Sequence, residues 1–327
     1  MNTPALDELL DGLYVVTLPL RTRFRGITER EIALVRGPHG WGEFAPFVEY
    51  EPAEAARWLA ATLEAAWHGW PAPVRSSVPV NATVPAVPAD RVAEVIARYD
   101  GCTTAKVKVA EVGQPPGDDV DRVAAVREAM GPHARIRVDA NGGWSLTLAR
   151  EMIARLAPFG LEYAEQPCAD VHDLARLRVE LARAGIDVPV AADESIRRAE
   201  DPLAVARLQA ADLVVVKVAP LGGVARALEV VAECGLPAVV SSAIDSSVGL
   251  RAGVALAAAL PELDHACGLG TGALLGADVA SDPLLPVRGE LPVREVEVDP
   301  DLLSEHTAAP ERVQWWRERV TAAFAHL

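Results

Sequence analysis

A chain of 327 residues is long enough to bury a large hydrophobic core and to carry a second folding unit. Half of the residues are hydrophobic and the formal net charge is −15, which argues against nucleic-acid and anionic-membrane partners because both favour clustered lysine and arginine. No apolar run reaches the roughly 18 residues that a membrane span needs. The N-terminus lacks the layout of a signal peptide and the four cysteines have no paired spacing, so we expect a cytoplasmic protein without a zinc site or disulfide framework.

The N-terminal part of the chain predicts a small α+β unit. Two strand patterns flank a basic, glycine-containing loop at 21–28, and a turn-rich segment follows at 40–46. Apolar residues with helical spacing cover 52–68. The proline-rich stretch 71–79 indicates a linker to the rest of the chain.

From about residue 77 onward, short strands alternate strictly with helices. The predicted strands lie at 78–84, 103–109, 135–140, 161–165, 189–193, 212–218, 237–243 and 265–270. Amphipathic helices follow the first seven, for example at 118–130, 145–157 and 222–234. Eight strands joined by helical crossovers favour a parallel barrel, with an open doubly wound sheet as the alternative. No dinucleotide-binding or P-loop fingerprint follows any of these strands.

The alternation stops after residue 283. A strand is predicted at 291–298 and a helix at 310–324, whose apolar stripe would let it pack back on the N-terminal unit. The predicted organisation is therefore an α+β unit at 1–76, a barrel at 77–283 and a returning C-terminal segment at 284–327.

Charged side chains stand at the ends of successive barrel strands. Lys106 and Lys108 are two residues apart on strand two and so share a face. The next four strands end in Asp139, Glu165, Asp193 and Lys217, and each step along the chain is about one strand–helix unit. In a barrel these side chains would meet at the C-terminal face, where barrel active sites lie.

Three carboxylates in one small volume require positive charge, because two like charges about 4 Å apart repel by roughly 4 kcal/mol at an effective dielectric near 20. A divalent cation fits this oxygen-rich set, with Mg²⁺ first and Mn²⁺ also acceptable. The chemistry indicated is proton abstraction beside a carboxylate, with the metal stabilising the enediolate and a lysine of lowered pKa moving the proton. The alternative is a structural ring of ion pairs, in which Lys106 and Asp139 form a plain salt bridge and Asn141 is a turn residue.

The strand-end motifs resemble those of the enolase superfamily, in its muconate-lactonizing subgroup. They are Ala105-Lys-Val-Lys-Val109, Arg137-Val-Asp-Ala-Asn141, Ala164-Glu-Gln-Pro167, Ala192-Asp-Glu-Ser195 and Val216-Lys217. The mandelate-racemase subgroup needs a histidine at the end of strand seven, and 241–247 contains none. The resemblance covers nearly the whole chain. It implies a modified (β/α)7β TIM-type barrel with an α+β capping domain, and Mg²⁺ held by Asp139, Glu165 and Asp193.

Loop residues make the likeness more specific. The segments 23–27, 241–242 and 268–272 resemble those of the subgroup's aromatising dehydratases, and strand eight lacks the Asp-x-Asp pair common in its dipeptide epimerases. The resemblance implies a syn dehydration of 2-succinyl-6-hydroxy-2,4-cyclohexadiene-1-carboxylate. The alternative is an N-succinylamino-acid racemase or related epimerase of the same subgroup.

The same resemblance implies roles for individual residues. Lys108 would be the base, Lys217 a cation on the opposite face of the ring, and Lys106 a carboxylate contact. Substrate contacts are expected from Asn141, Ser241, Ser242, Gly270 and Arg25. The loop 21–28 would act as a lid, although each of its arginines is more readily interpreted as a solvated side chain than as a ligand. The partner expected is a small carboxylate, and the protein is expected to be a monomer.

Overall fold

The computed structural model describes residues 4–198 and 201–327. Its N-terminal unit is an antiparallel sheet of three strands in chain order, followed by a helix. The elements are α1 (Leu6–Asp11), β1 (Leu13–Phe24), β2 (Ile27–Gly37), β3 (Gly40–Phe44) and α2 (Pro52–Leu63). Pro52 opens α2, where its missing N–H costs nothing, and the buried side of that helix includes Trp58 and Leu59.

The prediction of a loop at 21–28 is wrong. The two strands continue into it and pair Phe24 with Ile27 across a tight hairpin turn. The turn needs positive φ at Arg25 (50°) and at Gly26 (80°), a backbone conformation that glycine adopts without strain. The turn-rich segment predicted at 40–46 is also mostly strand, because β3 pairs with β2.

The second unit is a ring of parallel strands. Seven of them form one continuous sheet in chain order: β5 (Ala82–Val84), β6 (Thr104–Lys108), β7 (Arg135–Asp139), β8 (Leu161–Glu165), β9 (Val190–Ala192), β10 (Leu213–Lys217) and β11 (Ala238–Ser241). The ring closes through parallel bridges from Cys267 to Val80 and from Gly268 to Ser241. The predicted (β/α)7β barrel is confirmed, and the open doubly wound sheet is excluded.

Strand eight is present only as these bridges rather than as the strand predicted at 265–270. Glycines at 268 and 270 weaken strand pairing there. The strand predicted at 78–84 is divided: β4 (Ser77–Pro79) pairs antiparallel with β12 (Glu290–Pro292), and only β5 joins the barrel. The strand predicted at 291–298 is limited to β12, which ends at a proline that cannot donate to a ladder.

Helices surround the barrel and follow its strands. They are α3 (Val92–Ile96), α4 (Pro116–Met130), α5 (Leu146–Leu156), α6 (Val171–Arg183), α7 (Glu194–Arg197), α8 (Ala204–Arg207), α9 (Val218–Leu221), α10 (Val224–Cys234) and α11 (Ser247–Ala259). The tail adds α12 (Pro300–Glu305) and α13 (Pro310–Phe324). None of the helices within 4–198 and 201–327 has the length and apolar character that crossing a membrane requires.

The tail returns to the N-terminal unit. Trp316 of α13 is buried against the edge of the Phe44 ring, with centroids 5.9 Å apart, and its indole N–H donates to Glu31 at 3.0 Å. Arg312 pairs with the same carboxylate at 2.6 Å. These contacts support our proposal that the chain is organised as 1–76, 77–283 and 284–327.

Two glutamates of the N-terminal unit dock it on the barrel at helix N-termini. Glu43 accepts from the backbone N–H groups of Ser246 and Gly249, both at 3.1 Å, at the start of α11. Glu64 accepts from those of Val224 (2.5 Å) and Ala225 (2.9 Å) at the start of α10. Because the first N–H groups of a helix have no partner within the helix, these bonds hold the unit over the C-terminal face of the barrel.

Candidate active site

Strand register brings the predicted charged residues to one edge of the barrel. Lys108 lies directly beside Asp139, and Asp139 directly beside Glu165, in the parallel pairing of β6, β7 and β8. Asp193 follows β9, and Lys217 ends β10 beside Ser241. All of these residues lie at the carboxyl ends of their strands, as the sequence pattern predicted.

Lysine ammonium groups stand between the carboxylates. Lys106 is buried, and its Nζ donates to Asp139 Oδ2 at 3.1 Å and to Glu165 Oε1 at 3.0 Å. Lys108 Nζ donates to Asp139 Oδ2 at 2.5 Å and to Asn141 Oδ1 at 2.7 Å. Lys217 donates to Asp193 Oδ2. Bonds from Asn141 to Glu194, and from Arg197 to Glu194 and Asp193, connect these pairs into one network across the ends of β6 to β10.

The three carboxyl groups differ in how well positive charge compensates their burial. Burial and the neighbouring Asp139 raise the pKa of Glu165 to about 7, despite Lys106. Burial also opposes ionisation of Asp139, but Lys108 and Lys106 hold its pKa well below its usual range. The pKa of Asp193 is lowered to about 2, because Lys217 and Arg197 outweigh its burial. Of the three carboxyl groups, Glu165 is therefore the one whose burial is least compensated by neighbouring positive charge.

The pKa values of two of the lysines are shifted in opposite directions. Burial lowers the pKa of Lys217, and Arg197 and Lys106 add to that effect, so that Asp193 does not restore it. Burial disfavours the charged form of Lys106 too, but Glu165 and Asp139 raise its pKa above the ordinary lysine value.

A cavity of about 520 Å³, counting the solvent at its mouth, opens above this network between the two units. The residues predicted for the site that line it are Lys106, Lys108, Lys217, Asn141, Ser241, Ser242 and Arg25. Ser242 Oγ lies 2.7 Å from the Gly268 carbonyl oxygen and 2.7 Å from Thr271 Oγ1, and both of these neighbours also line the cavity.

Gly270 does not lie on the cavity wall. It begins a 3₁₀ turn and faces inward, where an added Cβ would stand 2.6 Å from the carbonyl oxygen of Asn81 and 3.3 Å from the Tyr99 ring. Its small size serves close packing at that position. The neighbouring Gly268 and Thr271 take the place on the wall that we predicted for Gly270.

The tip of the β1–β2 hairpin covers the cavity. The Phe24 ring centroid lies 5.5 Å from Lys108 Nζ. The Arg25 guanidinium stacks on the Phe47 ring at 4.1 Å from its centroid, with Glu49 at 3.9 Å. The N-terminal unit therefore supplies an aromatic and cationic roof above the lysines.

Comparison with known families agrees with this geometry. The profile described as Enolase C-terminal domain-like matches residues 89–300, and the one described as Enolase N-terminal domain-like matches 15–66. The chain belongs to the enolase superfamily. The resemblance inferred from the strand-end motifs is thereby confirmed.

Curated relatives of this superfamily member match over nearly its full length. It is 59% identical over 325 residues to o-succinylbenzoate synthase from Mycolicibacterium smegmatis (99% of this chain, 98% of the relative). It is 61% identical over 308 residues to o-succinylbenzoate synthase from Thermobifida fusca (94% of each). Among solved structures, a muconate lactonizing enzyme from Pseudomonas fluorescens, complexed with muconolactone, aligns with a TM-score of 0.76 at 20% identity over 90% of this chain and 98% of that one, which supports the fold.

Enzymes of the enolase superfamily use a divalent metal ion. Within 4–198 and 201–327, no three His, Cys, Asp or Glu side chains converge as a ready ligand set, because lysine ammonium groups separate the carboxylates. The donor chemistry nevertheless fits a divalent cation: three fully buried carboxylates stand on adjacent strand ends, and Asp139 and Glu165 are direct neighbours in the strand register.

Several wall residues were missed by sequence reasoning. They include Phe47, Tyr50 and Trp58 from the N-terminal unit and Arg197 from α7. One signal in the sequence could have sharpened the prediction: Lys106, Lys108 and Lys217 are the three lysines of the whole chain, and every other cationic side chain of the Lys/Arg type is arginine. Lysine occurs only at the positions for which the resemblance predicted an amine.

Proposed function

We propose that this protein is an o-succinylbenzoate synthase, a lyase that dehydrates 2-succinyl-6-hydroxy-2,4-cyclohexadiene-1-carboxylate to 2-succinylbenzoate in menaquinone biosynthesis. The observation that carries the proposal is the identity of 59% and 61% to two curated o-succinylbenzoate synthases across nearly the full chain. The cavity agrees with such a substrate, because cationic, hydroxyl and aromatic groups share its wall and suit a ring with carboxylates.

Lys108 is the proposed base. Its Nζ lies on the cavity wall, and bonds to Asp139 Oδ2 and Asn141 Oδ1 fix its direction. It takes the proton α to the ring carboxylate. The same amine, now protonated, returns that proton to the departing hydroxyl as the C–O bond breaks, so that water leaves from the face that lost the proton and the ring becomes aromatic.

The other two lysines act on negative charge in this proposal. Lys217 approaches from the far side of the cavity, four strands along the sheet from Lys108, and stabilises the anion as a cation over the ring. Lys106, held by Asp139 and Glu165, faces the substrate carboxylate. Asp139, Glu165 and Asp193 are the proposed ligands of Mg²⁺, or of Mn²⁺ in its place, and the bound ion would supply positive charge to the enediolate.

Charge balance is consistent with joint binding of metal and substrate. The facing groups are four cations, Lys106, Lys108, Lys217 and Arg197, and four carboxylates, Asp139, Glu165, Asp193 and Glu194. A divalent cation and a substrate with two carboxylates add equal and opposite charge. The two ligands can therefore enter together without leaving a buried excess of either sign.

The succinyl chain is assigned to the wall formed by the loops. We propose that Ser241 and Ser242 donate hydrogen bonds to it, and that Arg25 pairs with its carboxylate from the roof. Asn141 is assigned to the ring carboxylate, next to Lys108. Gly268 and Thr271 replace Gly270 in this assignment, because they line the cavity and Gly270 does not.

An N-succinylamino-acid racemase is the second candidate, because Lys108 and Lys217 stand on opposite walls as a two-base mechanism requires. Lys217→Arg separates the two. A dehydratase that needs only a cation there should keep measurable turnover, whereas a two-base racemase should lose racemisation, since arginine cannot exchange a proton near neutral pH.

The direct test is to add the cyclohexadiene substrate and Mg²⁺ to the purified protein and follow loss of diene absorbance together with formation of 2-succinylbenzoate. We expect conversion that stops when the metal is chelated. Unchanged diene absorbance would overturn the proposal. We further propose that the protein acts as a monomer, and that it works in the cytoplasm, where its four free thiols stay reduced.

A further inference from the structure

Arg197 connects the two units of the protein at the active site. Although it lies on the cavity wall, its three guanidinium nitrogens are all engaged. Nε donates to Asp193 Oδ1 at 3.1 Å, Nη2 to Glu194 Oε1 at 2.6 Å, and Nη1 to the Tyr50 hydroxyl at 3.1 Å. The side chain is buried, and each of its three nitrogens already holds one protein acceptor.

Tyr50 comes from the N-terminal unit, 147 positions away in sequence. Its own placement is rigid: it is buried, its ring packs edge-on against Phe47 with centroids 5.8 Å apart, and it lies 6.1 Å from the Trp58 ring. Its hydroxyl therefore offers Arg197 a fixed acceptor that the barrel itself does not supply.

From Arg197, hydrogen bonds continue to both halves of the proposed chemistry. One branch ends at Asp193, whose second oxygen is held by Lys217. The other branch runs through Glu194, which accepts from Asn141 Nδ2 at 3.1 Å, and Asn141 in turn accepts from Lys108. A single guanidinium thus orients the last of the three carboxylates and, through two intermediates, the proposed base.

We propose that Arg197, fixed by the Tyr50 hydroxyl, is a positioning residue that sets the orientation of Asp193 for the metal ion and of Asn141 for Lys108. The inference rests on the proposed function, since it takes Asp193 as a metal ligand. Through this link, correct seating of the N-terminal unit becomes a condition for tight metal binding. Groups that orient metal ligands typically change metal affinity by about 10- to 100-fold when removed.

Metal affinity is the readout that a merely structural role would not move. Mn²⁺ binding is measured by electron paramagnetic resonance on the full chain, without substrate, for Tyr50→Phe, Arg197→Gln and the double variant. Tyr50→Phe removes one hydroxyl and keeps the ring, and should weaken Mn²⁺ binding about three- to tenfold. Arg197→Gln should weaken it more, by about 10- to 100-fold.

The double variant decides whether Tyr50 acts through Arg197. If it does, adding Tyr50→Phe to Arg197→Gln changes the affinity little, because the acceptor has lost its donor. If the two residues contributed independently, their fold-changes in Mn²⁺ affinity would multiply. That result would overturn the proposal that Tyr50 acts through Arg197. Substrate KM should stay within about twofold in Tyr50→Phe while kcat falls, because the variant keeps the ring that lines the cavity and loses only the hydroxyl bonded to Arg197.

Tyr14→Phe is the matched control, because Tyr14 is exposed on the same unit and remote from the cavity. It should bind Mn²⁺ like the unmodified protein. Asp193→Asn separates two kinds of failure. If it leaves Mn²⁺ binding unchanged, the proposed metal site is wrong and the inference falls with it. If it weakens binding while Tyr50→Phe and Arg197→Gln do not, the metal site stands and the positioning role is wrong.

Discussion

Replacing Lys106 with methionine should destabilise the metal-free protein much more than the metal-bound protein. The ammonium of Lys106 lies 3.1 Å from Asp139 and 3.0 Å from Glu165, and these two buried acids are direct neighbours in the strand register. Removing one partner of a buried ion pair costs about 3–5 kcal/mol, because the remaining charge is left without compensation.

The size of the effect can be expressed as a melting temperature. Unfolding entropy of about 2.1 cal/mol/K per residue gives roughly 0.7 kcal/mol/K for 327 residues. The loss of about 3–5 kcal/mol therefore corresponds to a fall of about 4–7 °C with the metal chelated. Saturating Mg²⁺ restores positive charge beside Asp139 and Glu165, so we expect it to raise the melting temperature of the variant more than that of the unmodified protein.

The assay is thermal unfolding at fixed pH, with a chelator and with Mg²⁺. Arg226→Met is the control, because Arg226 is exposed and pairs with Glu229 on the surface of α10. It should leave the melting temperature within about 1 °C in both conditions. Equal stability of Lys106→Met and the unmodified protein without metal would refute the reasoning, as would an equal Mg²⁺-dependent rise in both.

Three further predictions test other parts of the site. Lys108→Met should lower kcat by about 10²- to 10⁴-fold and still bind Mn²⁺, whereas lost binding would make Lys108 a structural residue. Acetylating the lysine amines should abolish turnover, because all three lysines lie in the cavity. Bound 2-succinylbenzoate and Mg²⁺ should protect these amines from acetylation. Full acetylation with an unchanged turnover rate would contradict the prediction. Burial and Asp245 raise the pKa of Glu43 from 4.5 to about 8, so the folded state loses stability as pH rises between those values. In Glu43→Gln, the fall in unfolding free energy between about pH 5.5 and about pH 8.5 should be smaller by roughly 3 kcal/mol, as measured by urea unfolding. An unchanged pH dependence of the unfolding free energy would contradict the assignment.

The parts of the fold that follow from local pattern were predictable. Parallel strands converge at their carboxyl ends, so residues spaced one strand–helix unit apart, such as Lys108, Asp139 and Glu165, had to come together once the barrel was inferred. The helix at 310–324 followed from its apolar stripe and was found with the same bounds.

What depends on distant pairing could not be predicted in the same way. The hairpin tip forms because Phe24 pairs with Ile27 while Arg25 adopts positive φ, and composition alone made the same segment look like a loop. Gly270 faces Asn81 rather than the cavity, a choice that the 3₁₀ turn makes and the sequence motif does not reveal. The bond between Tyr50 and Arg197 crosses two folding units and has no local signature.

The measurement that tests the central claim most directly compares two substrates on one preparation of the protein with Mg²⁺. The kcat/KM for dehydration of the cyclohexadiene carboxylate is measured beside that for racemisation of an N-succinylamino acid. We expect the dehydration value to be larger, with both activities lost on chelation of the metal. An equal or larger kcat/KM for racemisation would contradict the assignment of this site to o-succinylbenzoate synthesis.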